Sequence, residues 1–135
     1  MRDCIFCKIS NGDIPSHKVY EDDFVFAFLD ISPATKGHTL VIPKKHVTDI
    51  FDMNSETAKE VFSVIPKISN AIKKAFNPIG LNIVSNNQKP YQEVFHYHIH
   101  LVPRYENDGY VISAETKEFI HDELNIIKEL IVKKL

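Results

Sequence analysis

The sequence predicts an α+β domain built from an antiparallel sheet of about five strands, one long helix and a C-terminal helix. Five short stretches are rich in β-branched and aromatic residues and are bounded by turn residues, which is typical of strands. Apolar residues recur at helical spacing after a cap at Asn54 or Ser55, and again over residues 116–135. With 135 residues, we expect one domain over residues 1–135.

Composition and charge exclude several classes of protein. The formal net charge of −2 gives no general affinity for nucleic acid. No apolar run approaches the length of a membrane span, and the first residues lack the apolar core of a signal peptide. We therefore expect a cytoplasmic protein that associates with neither nucleic acid nor a membrane.

The chain begins with a cysteine pair, Cys4 and Cys7. Two thiolates at this spacing can hold one zinc ion. The pair could equally be redox-active, or consist of two small apolar residues packed under a turn. A redox motif should follow a strand, and no strand is predicted before this pair. A tetrahedral metal site would need two more ligands, for which histidines from distant strands are candidates.

The first two strands form a predicted hairpin. Residues 18–21 and 24–30 flank a turn at Asp22-Asp23. The second strand is almost wholly apolar, which predicts burial on both faces. Asp30 at its end could bind two vicinal hydroxyl groups, or it could initiate the turn before Ser32-Pro33.

The third and fourth strands each lead to polar residues. Residues 39–42 form a strand that Pro43 ends, and His46 lies just beyond it. Residues 81–85 form another strand, followed by the polar loop 86–92. The amide side chains of this loop could bind an oxyanion or a phosphate, although a plain hairpin loop is equally consistent.

The fifth strand, residues 93–103, carries three histidines at strict alternation, His96, His98 and His100. Side chains on a strand alternate between faces and stand roughly 6.7 Å apart on each face. The three imidazoles therefore line one surface, within reach of one small ligand. Three interpretations follow: a solvated strand face, a three-histidine metal site, or a nucleophilic histidine with helper groups around a phosphate.

This histidine pattern, followed by apolar residues, resembles the signature of the histidine triad superfamily. The segments 28–33, 37–46 and 80–84 also fall in the order typical of that family, so the resemblance covers nearly the whole chain. The chain looks most similar to the bacterial branch of Hint-like nucleoside phosphoramidases. The resemblance implies a HIT-like fold and a homodimer.

The resemblance also implies an activity. The implied reaction is nucleotidyl hydrolysis or transfer at the α-phosphate of a purine nucleotide, such as an AMP conjugate, through a covalent nucleotidyl-histidine on His98. By the same resemblance, His100 contacts the phosphate, Asn86 contacts the scissile region and Asp30 binds the ribose hydroxyls. The other implied nucleotide-binding residues are Phe6, Ile9, Ile14, Phe28, Ile31 and Gln92.

Several relatives of this kind bind a structural zinc ion, and the ligands that correspond here are Cys4, Cys7, His46 and His96. Four such ligands form a closed tetrahedral site that leaves no open position for chemistry. The alternative is a metal-free site in which the same residues are hydrogen-bonded.

The loop before the histidines departs from the family pattern. Relatives commonly carry glycines there, whereas residues 86–92 contain none, and Pro90 and Tyr91 could narrow or redirect the pocket. Glu93 stands where relatives often carry a hydroxyl or amide donor, so we do not expect its side chain to take that role.

Two rival functions remain open on the sequence. The first is a diadenosine polyphosphate hydrolase of the same superfamily. The second is a non-enzymatic, zinc-stabilised nucleotide-binding protein that binds AMP tightly with negligible turnover. A catalytic metal held by the three histidines is less favoured, because the cysteine pair offers His96 a better partnership.

Overall fold

The computed structural model describes residues 3–135. Its centre is a five-stranded sheet in the order β1-β2-β3-β5-β4, and every neighbouring pair is antiparallel. The strands are β1 (Lys18–Glu21), β2 (Val25–Leu29), β3 (Thr39–Pro43), β4 (Gly80–Val84) and β5 (Ile99–Arg104). The α-helices are α1 (Ile5–Ser10), α2 (Ser55–Phe76) and α3 (His121–Val132), and a 3-10 turn spans Ile50–Asp52. The predicted α+β class with five strands is confirmed.

Both faces of the sheet are covered, as the apolar second strand predicted. On one face, Val25, Val41 and Ile99 pack in a core with Ile65 and Ile68 of α2. On the other face, residues of β2 and β3 pack against the short helix α1, which no sequence pattern predicted. The members of that second cluster are Phe6, Ile9, Phe26, Phe28, Leu40 and Ile42. Helix α1 therefore brings the N-terminal cysteine pair onto the sheet.

Helix α2 has well-defined caps at both ends. The Asn54 side-chain oxygen accepts a hydrogen bond from the Thr57 N–H at 2.8 Å, so Asn54 is the N-cap. The helix ends at Asn77, which adopts the left-handed conformation with φ 49° and donates its N–H to the Lys73 carbonyl. Pro66 lies within the helix, which continues beyond it to Phe76.

The fifth strand is shorter than predicted, because β5 begins at Ile99 rather than at residue 93. Ile99 pairs with Val41 of β3, and two residues further along β3 the chain reaches Pro43, which has no N–H to donate to a ladder. The Tyr97 N–H instead donates to the Val47 carbonyl at 2.6 Å. The predicted alternation persists outside the ladder, since Tyr97 is buried in the α2 core while His98 packs against Phe6 on the opposite face.

Helix α3 begins at His121, five residues later than the predicted start at residue 116, and none of its residues is buried. Its predicted apolar face is present but uncovered by the described part of the chain, with Leu124 51% and Leu130 60% exposed. No helix within residues 3–135 is both long enough and apolar enough to cross a membrane.

Candidate active site and metal centre

A cavity of about 430 Å³ opens between α1, the end of β2 and the histidine segment. This volume is in the range of small-molecule sites. Nine residues predicted to be functional line it: Phe6, Ile9, Ile14, Phe28, Asp30, Ile31, Asn86, His98 and His100. Among the described residues, no lysine or arginine lines this cavity. Its polar wall therefore consists of neutral donors, imidazoles and two carboxylates.

His98 is held as a neutral imidazole with one free nitrogen. Its Nδ1 lies 2.7 Å from the His96 carbonyl, which can only accept, so Nδ1 carries the proton and donates it. Burial lowers the pKa of His98 and favours the uncharged ring. The Nε2 lone pair is then unprotonated, and no described residue forms a hydrogen bond with it. An imidazole in this state can act as a nucleophile at neutral pH.

A fourth histidine, His38, belongs to the site although the sequence analysis did not single it out. It is 6% exposed, and its Nδ1 accepts the Ala34 N–H at 3.0 Å. In the neutral ring, which burial favours by lowering its pKa, the proton is therefore on Nε2. Nε2 lies 2.9 Å from Nδ1 of His100 and donates to it. This leaves the other nitrogen of His100, Nε2, as a donor.

The signal that identifies His38 is the register of two strands. Leu40 of β3 pairs with His100 of β5, and His38 lies two residues before Leu40, on the same face. Pairing between strands about 60 residues apart is not visible in a local sequence pattern, which explains why this histidine was missed.

Asp30 forms the predicted turn with one carboxylate oxygen and leaves the other without a hydrogen bond from the described residues. One carboxylate oxygen, Oδ1, accepts the Ser32 N–H at 2.8 Å and so forms the predicted turn. The other, Oδ2, lies 3.7 Å from Nε2 of His38 and has no hydrogen bond within the described chain. One oxygen therefore stabilises the turn while the other remains available at the cavity wall.

The amide side chains of the loop 86–92 divide into two groups. Asn86 lines the cavity and has no hydrogen-bond partner within the described chain. Asn87 instead accepts the Ile50 N–H at 2.8 Å, which commits it to the loop. Gln92 is 3% exposed and donates to the carbonyls of Thr48 and Val94. The structure therefore does not bring Gln92, one of the predicted nucleotide-binding residues, into the cavity.

The four predicted metal ligands, Cys4, Cys7, His46 and His96, form one cluster whose ligand atoms all lie within 4.8 Å of one another. The sulfur-to-nitrogen distances are 3.3 Å for Cys4 and His96, 3.4 Å for Cys7 and His46, and 3.5 Å for Cys7 and His96. Zinc bonds of about 2.3 Å to sulfur and 2.0 Å to nitrogen place such atoms roughly 3.5 Å apart in a tetrahedron. The cluster has the dimensions and the donor set of a zinc site.

The orientation of His96 also suits a metal ligand. Its Nε2 donates to the Pro43 carbonyl at 2.7 Å, so the unprotonated Nδ1 faces the two sulfur atoms. A backbone partner on the second nitrogen is the usual arrangement for a ligating histidine. Burial lowers the pKa of His96 to about 4, so the ring remains neutral at pH 7.

The three alternating histidines do not converge on one metal position. His96 presents Nδ1 to the cysteines, His98 uses Nδ1 on a carbonyl, and His100 uses Nδ1 on His38. Each ring therefore has a different partner, which argues against the three-histidine metal site.

Known protein families and sequences that are similar to this chain include the HIT domain family and several of its members. The HIT domain family model matches residues 11–107. Protein hit of Bacillus subtilis is 52% identical over 136 residues, covering 98% of this chain and 94% of that protein. The adenosine 5'-monophosphoramidase HNT1 of Saccharomyces cerevisiae is 38% identical over 133 residues, covering 96% and 82%. The adenylylsulfatase HINT3 of Arabidopsis thaliana is 42% identical over 107 residues, covering 78% and 54%.

Solved structures that resemble the chain also include HIT family proteins. A crystal structure of a HIT family member from Bacillus subtilis matches with a TM-score of 0.95 at 50% identity, covering 98% of this chain and 97% of that one. A Zn-bound histidine triad family protein from Mycobacterium smegmatis matches with a TM-score of 0.75 at 35% identity, covering 98% and 95%.

Proposed function

Because the chain belongs to the HIT family, we propose that it hydrolyses AMP conjugates, nucleoside phosphoramidates above all, at the α-phosphate. Related members of the family are phosphoramidases and an adenylylsulfatase. Membership in this family therefore supports the assignment of the chain as a hydrolase that binds nucleotides. We further propose that the activity belongs to one HIT domain formed by residues 1–135. We also propose a cytoplasmic location, with which two cysteines that form no disulfide, Cys4 and Cys7, are consistent.

The observation that carries this proposal is the orientation of His98. Its Nδ1–H is fixed on the His96 carbonyl, and its Nε2 lone pair is left without a partner in a cavity-lining ring. In the proposed reaction, Nε2 attacks the α-phosphorus and a P–N bond forms. The bond to the leaving nitrogen breaks, and the amine departs with a proton from solvent. Water then attacks the nucleotidyl-histidine, releases AMP and restores the neutral imidazole.

The neighbouring polar groups would stabilise the charge that develops on the phosphoryl oxygens. His100, with Nδ1 accepting from His38, would donate Nε2–H to a non-bridging oxygen. Asn86, which has no other partner within residues 3–135, would supply an amide donor near the scissile bond.

The remaining cavity wall would bind the nucleoside. Asp30 would accept hydrogen bonds from the ribose hydroxyls through its free Oδ2. The apolar side chains of Phe6, Ile9, Ile14, Phe28 and Ile31 would surround the purine. Gln92 has no part in this proposal, since its amide is committed to the loop.

We propose that the second cluster holds a structural zinc ion through Cys4, Cys7, His46 and His96. The zinc would supply no reaction chemistry, because four protein ligands complete its coordination. It would connect helix α1 to the segments that follow β3 and precede β5. His96, as a ligand, would hold the carbonyl that orients His98.

A homodimer is also part of the proposal. The apolar face of α3 is exposed over the whole helix, and a surface of this kind marks an interaction site more often than a free surface.

The cavity disfavours the rival diadenosine polyphosphate hydrolase. A polyphosphate chain carries several negative charges, and no described lysine or arginine lines the cavity to neutralise them. The non-enzymatic rival differs in one property: it predicts AMP binding with negligible turnover.

Release of AMP from adenosine 5'-phosphoramidate, compared between the wild type and His98→Ala, tests the proposed function. His121→Ala is the matched control, because His121 is exposed on α3, does not line the cavity and is not one of the four predicted metal ligands. We expect turnover in the wild type and the control, and a loss of at least about a thousandfold in His98→Ala. A zinc-loaded, AMP-binding wild type without turnover would instead support the non-enzymatic rival.

A further inference from the structure

The candidate active site continues into a second cavity. This broader depression, of about 950 Å³, lies on the other side of the segment that precedes the histidines. Three residues line both cavities: Ile5, Glu93 and Val94. The remaining residues of the second cavity are Asp3, Cys4, His46, Thr48 and Phe95. A group that extends from the α-phosphate past these three shared residues would enter the depression.

Glu93 is the charged residue on the boundary between the two cavities. Its side chain is exposed, and it forms neither a hydrogen bond nor an ion pair within residues 3–135. Its backbone is fixed on both sides, because Gln92 is buried and donates its amide to the Val94 carbonyl at 3.0 Å. The carboxylate is therefore held at this boundary without a partner from the described chain.

Within residues 3–135, the surroundings of Glu93 contain little positive charge. No described lysine or arginine lines either cavity, and the second cavity contains another carboxylate, that of Asp3. In the described part of the chain, a cation beside this region is Lys89, whose ammonium lies 5.5 Å from the ring centroid of Phe95. Ile5 and Phe95 are 47% and 42% exposed, so the depression also offers apolar surface.

We infer that the second cavity receives the leaving group of the substrate, and that Glu93 selects leaving groups that carry a positive charge. The chemical class is an amine that bears a second, protonated amino group on a short apolar chain. The chain would lie against Ile5 and Phe95, and the ammonium would pair with Glu93. This inference rests on the proposed function, since it names the substrate class of the same site.

The expected size of the effect is modest. An ion pair at an exposed carboxylate contributes about 0.2–1 kcal/mol and weakens as salt screens it. That free energy corresponds to a change of up to about fivefold in kcat/KM. The preference should therefore be measured as a ratio between substrates within one protein, because the ratio cancels differences in active enzyme concentration.

Three AMP phosphoramidates of equal length test the inference. Their amines are 1,4-diaminobutane, pentylamine and 5-aminopentanoate, which end in an ammonium, a methyl group and a carboxylate. We expect the wild type to prefer the ammonium over the methyl substrate by about two- to fivefold, and to disfavour the carboxylate. Glu93→Gln should abolish the preference, and Glu93→Lys should reverse it. Glu106→Gln is the control, because Glu106 is exposed, lines neither cavity and changes the net charge equally.

Equal substrate ratios in the wild type and Glu93→Gln would overturn the inference while leaving the phosphoramidase assignment intact. If the wild type hydrolyses neither adenosine 5'-phosphoramidate nor any of the three conjugates, the proposed function fails, and the inference is then tested by binding. Calorimetric titration of the three conjugates into His98→Asn and His98→Asn/Glu93→Gln should show tighter binding of the ammonium conjugate in the first protein only. Equal affinities in the two proteins would overturn the inference on its own.

Discussion

The nitrogen that carries the proton in each imidazole determines what the candidate site can do. Backbone groups settle the question for two rings: the His96 carbonyl places the proton of His98 on Nδ1, and the Ala34 N–H places that of His38 on Nε2. Because His38 donates its Nε2–H to His100, Nδ1 of His100 must be unprotonated and accept that hydrogen bond. Backbone geometry thereby leaves an unprotonated nitrogen on His98 and a donor on His100.

Two substitutions of His38 test this chain of tautomers. Asparagine can replace Nδ1 and keep the Ala34 bond, whereas glutamine places its amide nitrogen near Nε2 and can keep the bond to His100. We expect His38→Asn to lower kcat by about tenfold to hundredfold and His38→Gln to lose less, because a misoriented donor stabilises the transition state poorly. Long-range ¹H–¹⁵N correlation spectra should show the Nε2–H tautomer of His100 in the wild type and His38→Gln only. Equal losses with an unchanged His100 tautomer would contradict this explanation.

A second prediction at this scale concerns acid stability. Burial, reinforced by the imidazoles of His98 and His38 and opposed by Asp30, lowers the pKa of His100 from 6.5 to about 4. Between pH 6.5 and pH 4 the unfolded chain binds a proton on His100 more readily than the folded protein does. Above pH 6.5 the ring is therefore neutral in both states and does not change the free energy of unfolding. As the pH falls towards 4, protonation of the unfolded state lowers the free energy of unfolding progressively. At about 1.4 kcal/mol per pKa unit, the cost at pH 4 is at most about 3 kcal/mol.

Urea unfolding at pH 7 and pH 4.5 measures this cost. His100→Gln should lose less free energy of unfolding between the two pH values than the wild type does. His121→Gln, an exposed substitution on α3, should behave as the wild type. A loss in His100→Gln as large as that of the wild type would contradict the assignment.

At the scale of secondary-structure elements, the cluster of two cysteines and two histidines helps to position a helix that is too short to be stable alone. Helix α1 has six residues, and Cys4 is its N-cap, with the Cys4 sulfur accepting the Cys7 N–H at 3.4 Å. The cluster connects this helix to His46 and His96 on segments that flank the sheet. A metal at this position would hold in place the helix that supplies Phe6 to the cavity.

Removal of the metal should therefore destabilise the protein. We expect about one zinc per chain by elemental analysis, and a thermal midpoint several degrees lower after chelation, because a ligand of the folded state adds about 2.7 kcal/mol at one hundred times its Kd. Cys7→Ser should lose both the metal and the response to chelator, whereas His17→Gln, an exposed substitution outside the cluster, should keep both. A wild type purified without zinc, with a midpoint insensitive to chelator, would favour the hydrogen-bonded, metal-free alternative.

The elements that local patterns determine were predictable, and those that depend on distant partners were not. Helix α2 was predicted from a cap at Asn54 or Ser55 and from its apolar period, and the first hairpin from its turn at Asp22-Asp23. The predicted start of β5 was wrong. Pro43, which belongs to β3, has no N–H to donate, so the pairing of β3 with β5 ends before it. His38 was missed for a similar reason, since only the register between β3 and β5 places it beside His100.

At the scale of the whole molecule, the described chain leaves the apolar face of α3 uncovered. If this face forms a homodimer interface, charged substitutions there should dissociate the dimer. We expect light scattering to give twice the chain mass for the wild type and one chain mass for Leu124→Glu/Ile131→Glu. Asn125→Glu, on the same exposed helix, should remain dimeric. A monomeric wild type at micromolar concentration would contradict the proposed homodimer.

The most direct test of the account is whether a nucleotide becomes covalently attached to His98. The measurement is rapid mixing of protein with adenosine 5'-phosphoramidate, a quench in alkaline denaturant, and peptide mass spectrometry. We predict an AMP adduct on His98 that forms and decays at least as fast as turnover, and that is absent in His98→Ala. Turnover without an adduct, or an adduct on a different residue, would contradict nucleophilic catalysis by His98.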